Sequence, residues 1–477
     1  MTSIKNKHVF IIGSGINGLT AAITLARSGL DVTVYEKSNS VGGSCRSSEL
    51  IEPGFIHDMG AAIHPLAACS PLFLRLPLEN YGLKWISPHV SLAHPFDDGT
   101  AVILTNKIEE TIASFDQKDG ESYRKLLAPL VKHGNKLITE ILHFPRFSIR
   151  HPLILAAFGR YALYSSKAFA CRYFKHEHAR GFMAGLGAHS VMNLEQNGSM
   201  AVGLALLVAS YITRWPFPAG GAQHIPDALA EYLKQLGGKI ITNYEIRTLD
   251  EIQSNSPIFM DVTPRQVLEI VGSKLPESYS QKLNRYKYGP GVFKIDWILN
   301  KPIPWTADEC RQAGSVHVGG TLEEIVSAEK EVSRGKHPER PFVFLTQPSI
   351  FDSSRVKHEK HIAWAYSHVP IYSSTDFTDK IEDQIERFAP GFKESIYARK
   401  VTTPNDLEYE NPNCIGGDIT GGNQSLQRLI RPEFSYRTPV QNVYLCSAST
   451  PPGPGVHGLC GVRAAQCLLN NMKYRLL

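Results

Sequence analysis

The sequence is poor in cysteine and poorer still in cysteine pairs. Its eight cysteines stand at positions 45, 69, 171, 310, 414, 446, 460 and 467, and no two are spaced as Cys-x-x-Cys. That excludes zinc-ribbon and dithiol redox motifs, and no metal site is expected. So few cysteines in 477 residues do not make a disulfide framework; they fit a reducing compartment, and the expected location is cytoplasmic. Long apolar runs are missing too. None reaches the ~18 residues that a spanning helix requires. The polar stretch 1–7 lacks the apolar centre of a signal peptide. Charge of one sign is not in excess: 50 Lys and Arg against 45 Asp and Glu leave +5, too mild for a nucleic-acid partner. Repeats and low-complexity tracts are absent from the sequence, and no residue pattern marks a catalytic triad or a catalytic pair of carboxylates.

What is present begins at residue 8. His8-Val9-Phe10-Ile11-Ile12 is a short apolar run, partly β-branched, and reads as a buried parallel strand. Gly13-Ser14-Gly15-Ile16-Asn17-Gly18 follows at once. Ile16, Leu19, Ala22, Ile23 and Ala26 then recur at helical spacing, and Gly29 stops the helix. A second strand, Val32-Thr33-Val34-Tyr35, ends at Glu36. This is a dinucleotide-binding βαβ pattern, and each part has a physical task. Gly13 permits the tight turn out of the strand. Gly15 has no Cβ, so a pyrophosphate can approach the backbone. Gly18 lets the helix pack close to the sheet. The helix N-terminus presents unpaired N–H groups and a positive dipole end to phosphates. Glu36 accepts hydrogen bonds from ribose hydroxyls and repels a 2′-phosphate, which disfavours NADP. Lys37 follows it. Val41-Gly42-Gly43-Ser44-Cys45-Arg46 supplies a second backbone segment able to close over the pyrophosphate, with Arg46 to balance its charge. A second Gly-x-Gly-x-x-Gly is lacking, so a separate nicotinamide domain is not evident.

These motifs, with Phe55-Ile56-His57-Asp58-Met59-Gly60, Trp215-Pro216-Phe217-Pro218-Ala219-Gly220-Gly221, Ala389-Pro390-Gly391-Phe392 and the tail Tyr444-Leu445-Cys446-Ser447-Ala448-Ser449-Thr450-Pro451-Pro452-Gly453-Pro454-Gly455-Val456-His457-Gly458, resemble the phytoene desaturase-related flavoproteins. The nearest branch is the phytoene dehydrogenase-like proteins, and the likeness covers nearly the whole chain. The glycine motifs are shared with amine oxidases and Rab GDP-dissociation inhibitors. The resemblance implies a Rossmann-type FAD-binding domain of the glutathione-reductase and amine-oxidase type, interleaved with an α+β substrate domain. It implies FAD as cofactor, with Gly13, Gly15 and Gly18 at the pyrophosphate and Glu36 at the adenosine ribose. Gly42, Gly43 and Ser44 would line the cofactor, Gly60 would approach the flavin, and Ile246, in a strand over 239–247, would meet the adenine. Gly455, Val456, His457 and Gly458 would sit at the isoalloxazine. Ser44 stands where many relatives carry Arg, which passes phosphate neutralisation to Arg46.

The pattern of elements divides the chain into 1–83, 215–290 and 401–477 for the FAD domain and 84–214 and 291–400 for the substrate domain. The first part of the latter has strands at 84–104 around an Asp97-Asp98-Gly99 turn and helices over 107–211. Strands are expected at 292–299, 315–318, 342–346 and 361–368. The tail reads as a strand at 442–447, a glycine loop and a helix over 459–472, whose N-terminus would stabilise negative charge on a reduced flavin. In such an enzyme the cofactor does the hard chemistry. The protein holds a carbon near it and excludes water. Acid–base help falls to His64 and His457, each also readable as a structural histidine.

One segment is compositionally odd. From 141 to 175 there is no Asp or Glu, while Arg146, Arg150, Arg160, Lys167, Arg172 and Lys175 interleave with Phe144, Phe147, Phe158, Tyr161, Tyr164, Phe169, Tyr173 and Phe174. Basic and aromatic residues together suit an anionic membrane surface, and equally a helical cap or homodimer face. The apolar run 199–212 is too short to span a bilayer and reads as core or as the lining of a hydrophobic tunnel. The resulting expectation is an FAD-dependent desaturase or dehydrogenase that removes hydride from a lipophilic isoprenoid or acyl chain, with quinone or oxygen as electron acceptor. Two alternatives stand beside it: a flavin-dependent, redox-neutral isomerase, and a non-catalytic FAD-stabilised protein that binds lipid or a partner.

Overall fold

The computed structural model describes residues 8–143, 149–252 and 255–474. In chain order the strands of its two main sheets are β1 His8–Ile12, β2 Asp31–Tyr35, β3 Val90–Pro95, β4 Ala101–Leu104, β5 Lys239–Ile241, β6 Ile258–Met260, β7 Gly291–Leu299, β8 Ala313–Val318, β9 Val343–Thr346, β10 His361–Val369, β11 Ile396–Thr402 and β12 Val443–Leu445. The first sheet runs β12-β6-β1-β2-β5, with every pair parallel. Its strands are drawn from three separated stretches of chain. The second sheet runs β11-β7-β10-β9-β8-β3-β4 and is antiparallel except where β3 meets β8. The architecture is therefore mixed α/β, a Rossmann-type layer beside a larger mixed sheet.

The parallel sheet is buried on both faces, as its continuous apolar strands require. The helix Ile16–Ala26 covers one face with Leu19, Ala22, Ile23 and Leu25, all at most 1% exposed. Leu19, Ile23 and Leu25 each contribute about 1.5–3 kcal/mol of burial. Gly29, at φ +82°, ends the helix in the left-handed region. The final helix, Leu459–Tyr474, crosses this one at close range. A Cβ on Gly461 would lie 1.9 Å from the carbonyl oxygen of Asn17, so only glycine admits the approach.

The larger sheet has two apolar faces with different purposes. Along β7, Phe293, Ile295 and Trp297 pack under the helix Thr378–Phe388 through Ile381, Ile385 and Phe388. The alternate residues Val292 and Lys294 face the other way, into a cavity. The helix Met200–Thr213, on the apolar 199–212 run, serves both readings of that run. Leu204, Leu207 and Val208 are core, while Val202 and Leu206 line the cavity.

Two local expectations need correction. The strand expected over 239–247 ends at Ile241. Asn243 takes a positive φ of 56°, and Asn243 and Tyr244 donate their N–H groups to the carbonyls of Ser38 and Glu36, which folds the chain over the end of β2. In the 141–175 segment the aromatic residues turn inward: Phe158, Phe169 and Phe174 are core, and Tyr161, Tyr164 and Tyr173 are half-buried against it. Arg146, Phe144 and Phe147 lie outside the described residues. The outer surface there is aliphatic and basic instead, with Leu153 84% exposed beside exposed Ile149, Arg150, Arg160 and Leu163. Among the described residues, no helix is long and apolar enough to cross a membrane.

Candidate cofactor and substrate site

β1 lies between β2 and β6; the chain passes from β1 to β2 on one side and takes up the place on the other side only at β6, so a crevice opens at the carboxyl ends of these strands. The glycine loop fills its floor. Gly13 has φ +94°, and its N–H donates to the Tyr35 carbonyl at 2.9 Å. A Cβ on Gly18 would sit 2.1 Å from the Gly13 carbonyl oxygen, and one on Gly15 would sit 2.5 Å from Asp261 Oδ2. The backbone of Gly15 bridges to Gly42, whose N–H donates to the Ser14 carbonyl at 3.0 Å. The two glycine segments are thus joined into one cradle.

From this cradle a groove runs in both directions. One arm is lined by Gly13, Glu36, Lys37 and the 244–247 loop, and encloses about 340 Å³. Glu36 is buried; its carboxylate accepts from Ser14 N at 2.8 Å, Ser14 Oγ at 2.6 Å and Ser38 N at 2.8 Å. Lys37 pairs with Glu245 at 2.8 Å on the rim, and Ile246 lines the arm from the loop rather than from a strand. The other arm passes Gly15, Ile16 and Asn17, then Gly42–Cys45 on one wall and Ser447, Gly455 and Val456 on the other. It adjoins the cavity over the large sheet and shares Gly43, Ser44, Gly455 and Val456 with it.

That cavity measures about 340 Å³ and is walled mainly by apolar groups, among them Ile63, Leu66, Trp215, Phe344 and Trp364. His64, 1% exposed, stands in its wall with no partner among the described residues for either ring nitrogen. Burial drives its pKa down to about 4, so its ring is neutral at pH 7. His189 also lines the cavity, and its Nε2 lies 2.8 Å from His317 Nε2.

Comparison with known proteins agrees with this geometry. The NAD(P)-binding Rossmann-like domain matches residues 11–73. The pyridine nucleotide-disulfide oxidoreductase domain-containing protein 2 of Rattus norvegicus is 25% identical, over 97% of this chain and 93% of its own. The 4,4'-diapolycopen-4-al dehydrogenase of Metabacillus indicus is 24% identical over 94% of each chain. In fold, the chain is similar to wild-type putrescine oxidase bound to putrescine, with a TM-score of 0.63 at 16% identity over 98% of this chain and 99% of that one. Along nearly its whole length the chain is similar to oxidoreductases of the phytoene desaturase-related kind. These likenesses support a dinucleotide-dependent oxidoreductase.

The residues present fit such a dinucleotide. Three glycines leave room at the crossing where any Cβ would collide, and the first-turn N–H groups of Ile16 and Asn17, beyond the reach of helical carbonyls, lie on the groove. Gly60 lines the cavity, and a Cβ there would meet the Ser44 carbonyl at 2.2 Å. Ser44 Oγ accepts from Asn411 Nδ2 at 2.6 Å. Arg46, given the phosphate in the sequence reading, donates Nε to the Gly43 carbonyl at 2.8 Å and Nη2 to the Glu410 carbonyl at 3.3 Å. Its guanidinium thus braces the second glycine segment.

His457 is a clearer departure. It lines neither the groove nor the cavity, whereas its neighbours Gly455 and Val456 line both. The ring turns back to cap the final helix: Leu459 N donates to His457 Nδ1 at 3.1 Å. A group so placed does not reach the cavity as an acid or base. Gly458 stands at the helix crossing, where its carbonyl accepts from Thr20 Oγ1 at 2.7 Å.

Two charged features escaped the sequence reading. Asp261, directly after β6, accepts from Gly18 N at 2.8 Å and so caps the first helix from a neighbouring strand, where Gly15 has no side chain to do it. Burial, with help from the Glu36 charge, pushes its pKa up to about 7. An acid at the carboxyl end of a parallel strand was the available signal. The other feature is Lys294 with Asp296, two charges alternating in the otherwise apolar strand Gly291–Leu299. The two side chains are bonded to each other and buried, and His57 Nδ1 lies 3.5 Å from Asp296 Oδ1.

Proposed function

We propose that the chain binds FAD along the groove and uses it to oxidise a lipophilic substrate held in the cavity. The reading rests on one observation: the groove built on the glycine cradle and the apolar cavity adjoin, and Gly455 and Val456 wall both. In this reading Glu36 receives the adenosine ribose, the cradle of Gly13, Gly15, Gly42 and Gly43 receives the pyrophosphate, and the ring system ends at Val456. Bound there, FAD supplies the acceptor for a hydride. The protein supplies position and dryness. Leu206, Phe344 and Trp364 exclude water from the carbon to be oxidised, and the sheet beneath them fixes its distance from the groove. His64 is the proton-handling side chain placed to serve that carbon, and its neutral ring is able to accept.

The test is direct. Purified protein should be yellow, and heat or acid should release one FAD per chain, identified by its mass. Anaerobic addition of an oxidisable lipophilic substrate should bleach the visible band. Protein that remains colourless after reconstitution with FAD would remove the proposal.

The exposed surface around Leu153 favours an extension of the same reading, a peripheral contact with an anionic membrane from which a lipophilic substrate enters. Ile149, Leu153 and Leu163 supply the insertion, and Arg150 and Arg160 supply the attraction. Phe158, Phe169 and Phe174, buried in the core, take no part.

A further inference from the structure

The cavity holds more nitrogen donors than a hydrocarbon requires. Lys294 and Trp364 stand on adjacent strands, where Lys294 faces Tyr366 and Asp296 faces Trp364 in the ladder. The Lys294 ammonium lies 5.6 Å from the centre of the Trp364 ring, and both residues line the cavity. An ammonium carries three N–H donors, and Asp296 takes one of them. The Trp364 indole N–H is buried with no acceptor among the described residues. A buried donor without an acceptor is costly, and a ligand that supplies the acceptor recovers that cost.

The charge balance narrows the acceptor. Lys294 is compensated by Asp296, and the other ionic residues on the wall, Arg46 and Glu410, are opposite in sign. His64 is neutral for the reason already given. A carboxylate would bring an uncompensated negative charge into an apolar space, whereas a neutral oxygen would not.

We infer that the substrate is a hydrocarbon body bearing a carbonyl oxygen, and that this oxygen is held by the Lys294 ammonium beside the Trp364 indole. The inference rests on the cavity being the substrate site, as proposed above, and goes further by naming the group recognised.

The experiment uses the flavin-loaded protein and five ligands compared in pairs. Carvone is compared with limonene, which lacks only the carbonyl; 2-undecanone is compared with undecane and with undecanoate. Binding is followed by perturbation of the visible band and by tryptophan fluorescence. Infrared difference spectra of ¹³C-carbonyl ligand report the hydrogen bond itself. The ketone of at least one pair should bind about tenfold or more tightly than its hydrocarbon, with the carbonyl stretch moved to lower wavenumber. Trp364→Phe keeps an aromatic ring but removes the N–H and should reduce both effects, and the double change Lys294→Met with Asp296→Asn, which leaves no orphaned charge, should abolish them. No ketone preference in either pair, whether all ligands bind or none does, overturns the inference. So does undecanoate binding more tightly than 2-undecanone, or a preference that survives the double change. A yellow protein without carbonyl preference defeats this inference alone; a colourless one defeats the reading beneath it.

Discussion

Asp261→Asn isolates the price of keeping an acid beside the phosphate cradle. The wild-type carboxyl has its pKa pushed from 3.8 to about 7, chiefly by burial and then by the Glu36 charge. Three units correspond to about 4 kcal/mol at 1.36 kcal/mol each. Relaxation and water entry reduce this, so about 2 kcal/mol is expected. The folded protein holds the proton through a range where the unfolded chain has lost it. The stability linked to Asp261 is therefore complete below about pH 4, declines as pH rises, and is gone above about 7. Asparagine keeps an oxygen for the Gly18 N–H but cannot ionise. The variant minus wild-type difference in unfolding free energy should thus grow by about 1–1.5 kcal/mol between pH 5 and pH 8, read by urea titration at constant ionic strength. A bound pyrophosphate opposes ionisation of Asp261 further, so wild-type affinity for the dinucleotide should fall as pH passes about 7, and that of the variant should not. Stability curves that stay parallel from pH 5 to pH 8 would show that Asp261 is not the buried, strained acid described here.

Four other outcomes are expected. Gly15→Ala places a Cβ 2.5 Å from Asp261 Oδ2, so it should cost about 1–3 kcal/mol in stability and leave the purified protein without flavin, measured by its absorbance ratio. His457→Ala removes a helix cap at Leu459 N and should lower stability by about 1 kcal/mol, with ligand affinity in the cavity unchanged by titration. Arg355→Met strands the buried Asp58 and should lower stability by about 3–5 kcal/mol in denaturant unfolding. Flotation with vesicles rich in anionic lipid should carry the wild type, and Leu153→Asp with Arg160→Glu should leave it at the bottom of the gradient, because both the apolar insertion and the attraction are removed.

The cofactor groove was legible because its chemistry is local. A glycine without Cβ, a helix start and an acid 21 residues on are written in consecutive sequence, and they fold where the motif says. The larger sheet was legible as strands, because β7 to β10 are apolar runs of ordinary length. What could not be read is what those strands aim at one another. Lys294 sits in the same strand as Phe293 and Ile295, and only the ladder with β10 brings it to Trp364. His457 misled for the converse reason. Proximity in sequence to Gly455 suggested proximity to the site, but one residue beyond a loop points elsewhere, here to the helix behind it. The aromatic content of 141–175 carried no direction either, since helical phase decides which side chains face outward, and Leu153, Arg160, Leu163 and Arg172 are among the outward ones.

The buried ions around Arg355 explain how an interleaved chain holds groove and cavity in one alignment. Arg355 donates Nη1 to Asp58 Oδ2 at 2.7 Å, Nη2 to the Pro218 carbonyl at 2.8 Å and Nε to Asp352 Oδ2 at 3.1 Å. Asp58 in turn accepts from Ser47 Oγ at 2.6 Å and Ala222 N at 2.7 Å, and Asp352 accepts from Gly220 N at 2.7 Å. Burial alone would raise the Asp58 carboxyl, but the Arg355 guanidinium and these N–H and O–H donors hold it below its ordinary value. Four chain segments meet there: the one after the second glycine pair, the cavity wall near His57, the loop before the helix His224–Gln235, and the turn before β10. Apolar packing tolerates small slides between such segments, whereas a guanidinium shared by two carboxylates and a carbonyl has one arrangement that satisfies every partner. The net contribution of this network to stability is small compared with the cost of breaking it. Its effect is registry: it fixes the floor of the cavity against the end of the groove, and a reaction that depends on the distance between a carbon and a bound ring needs that fixed.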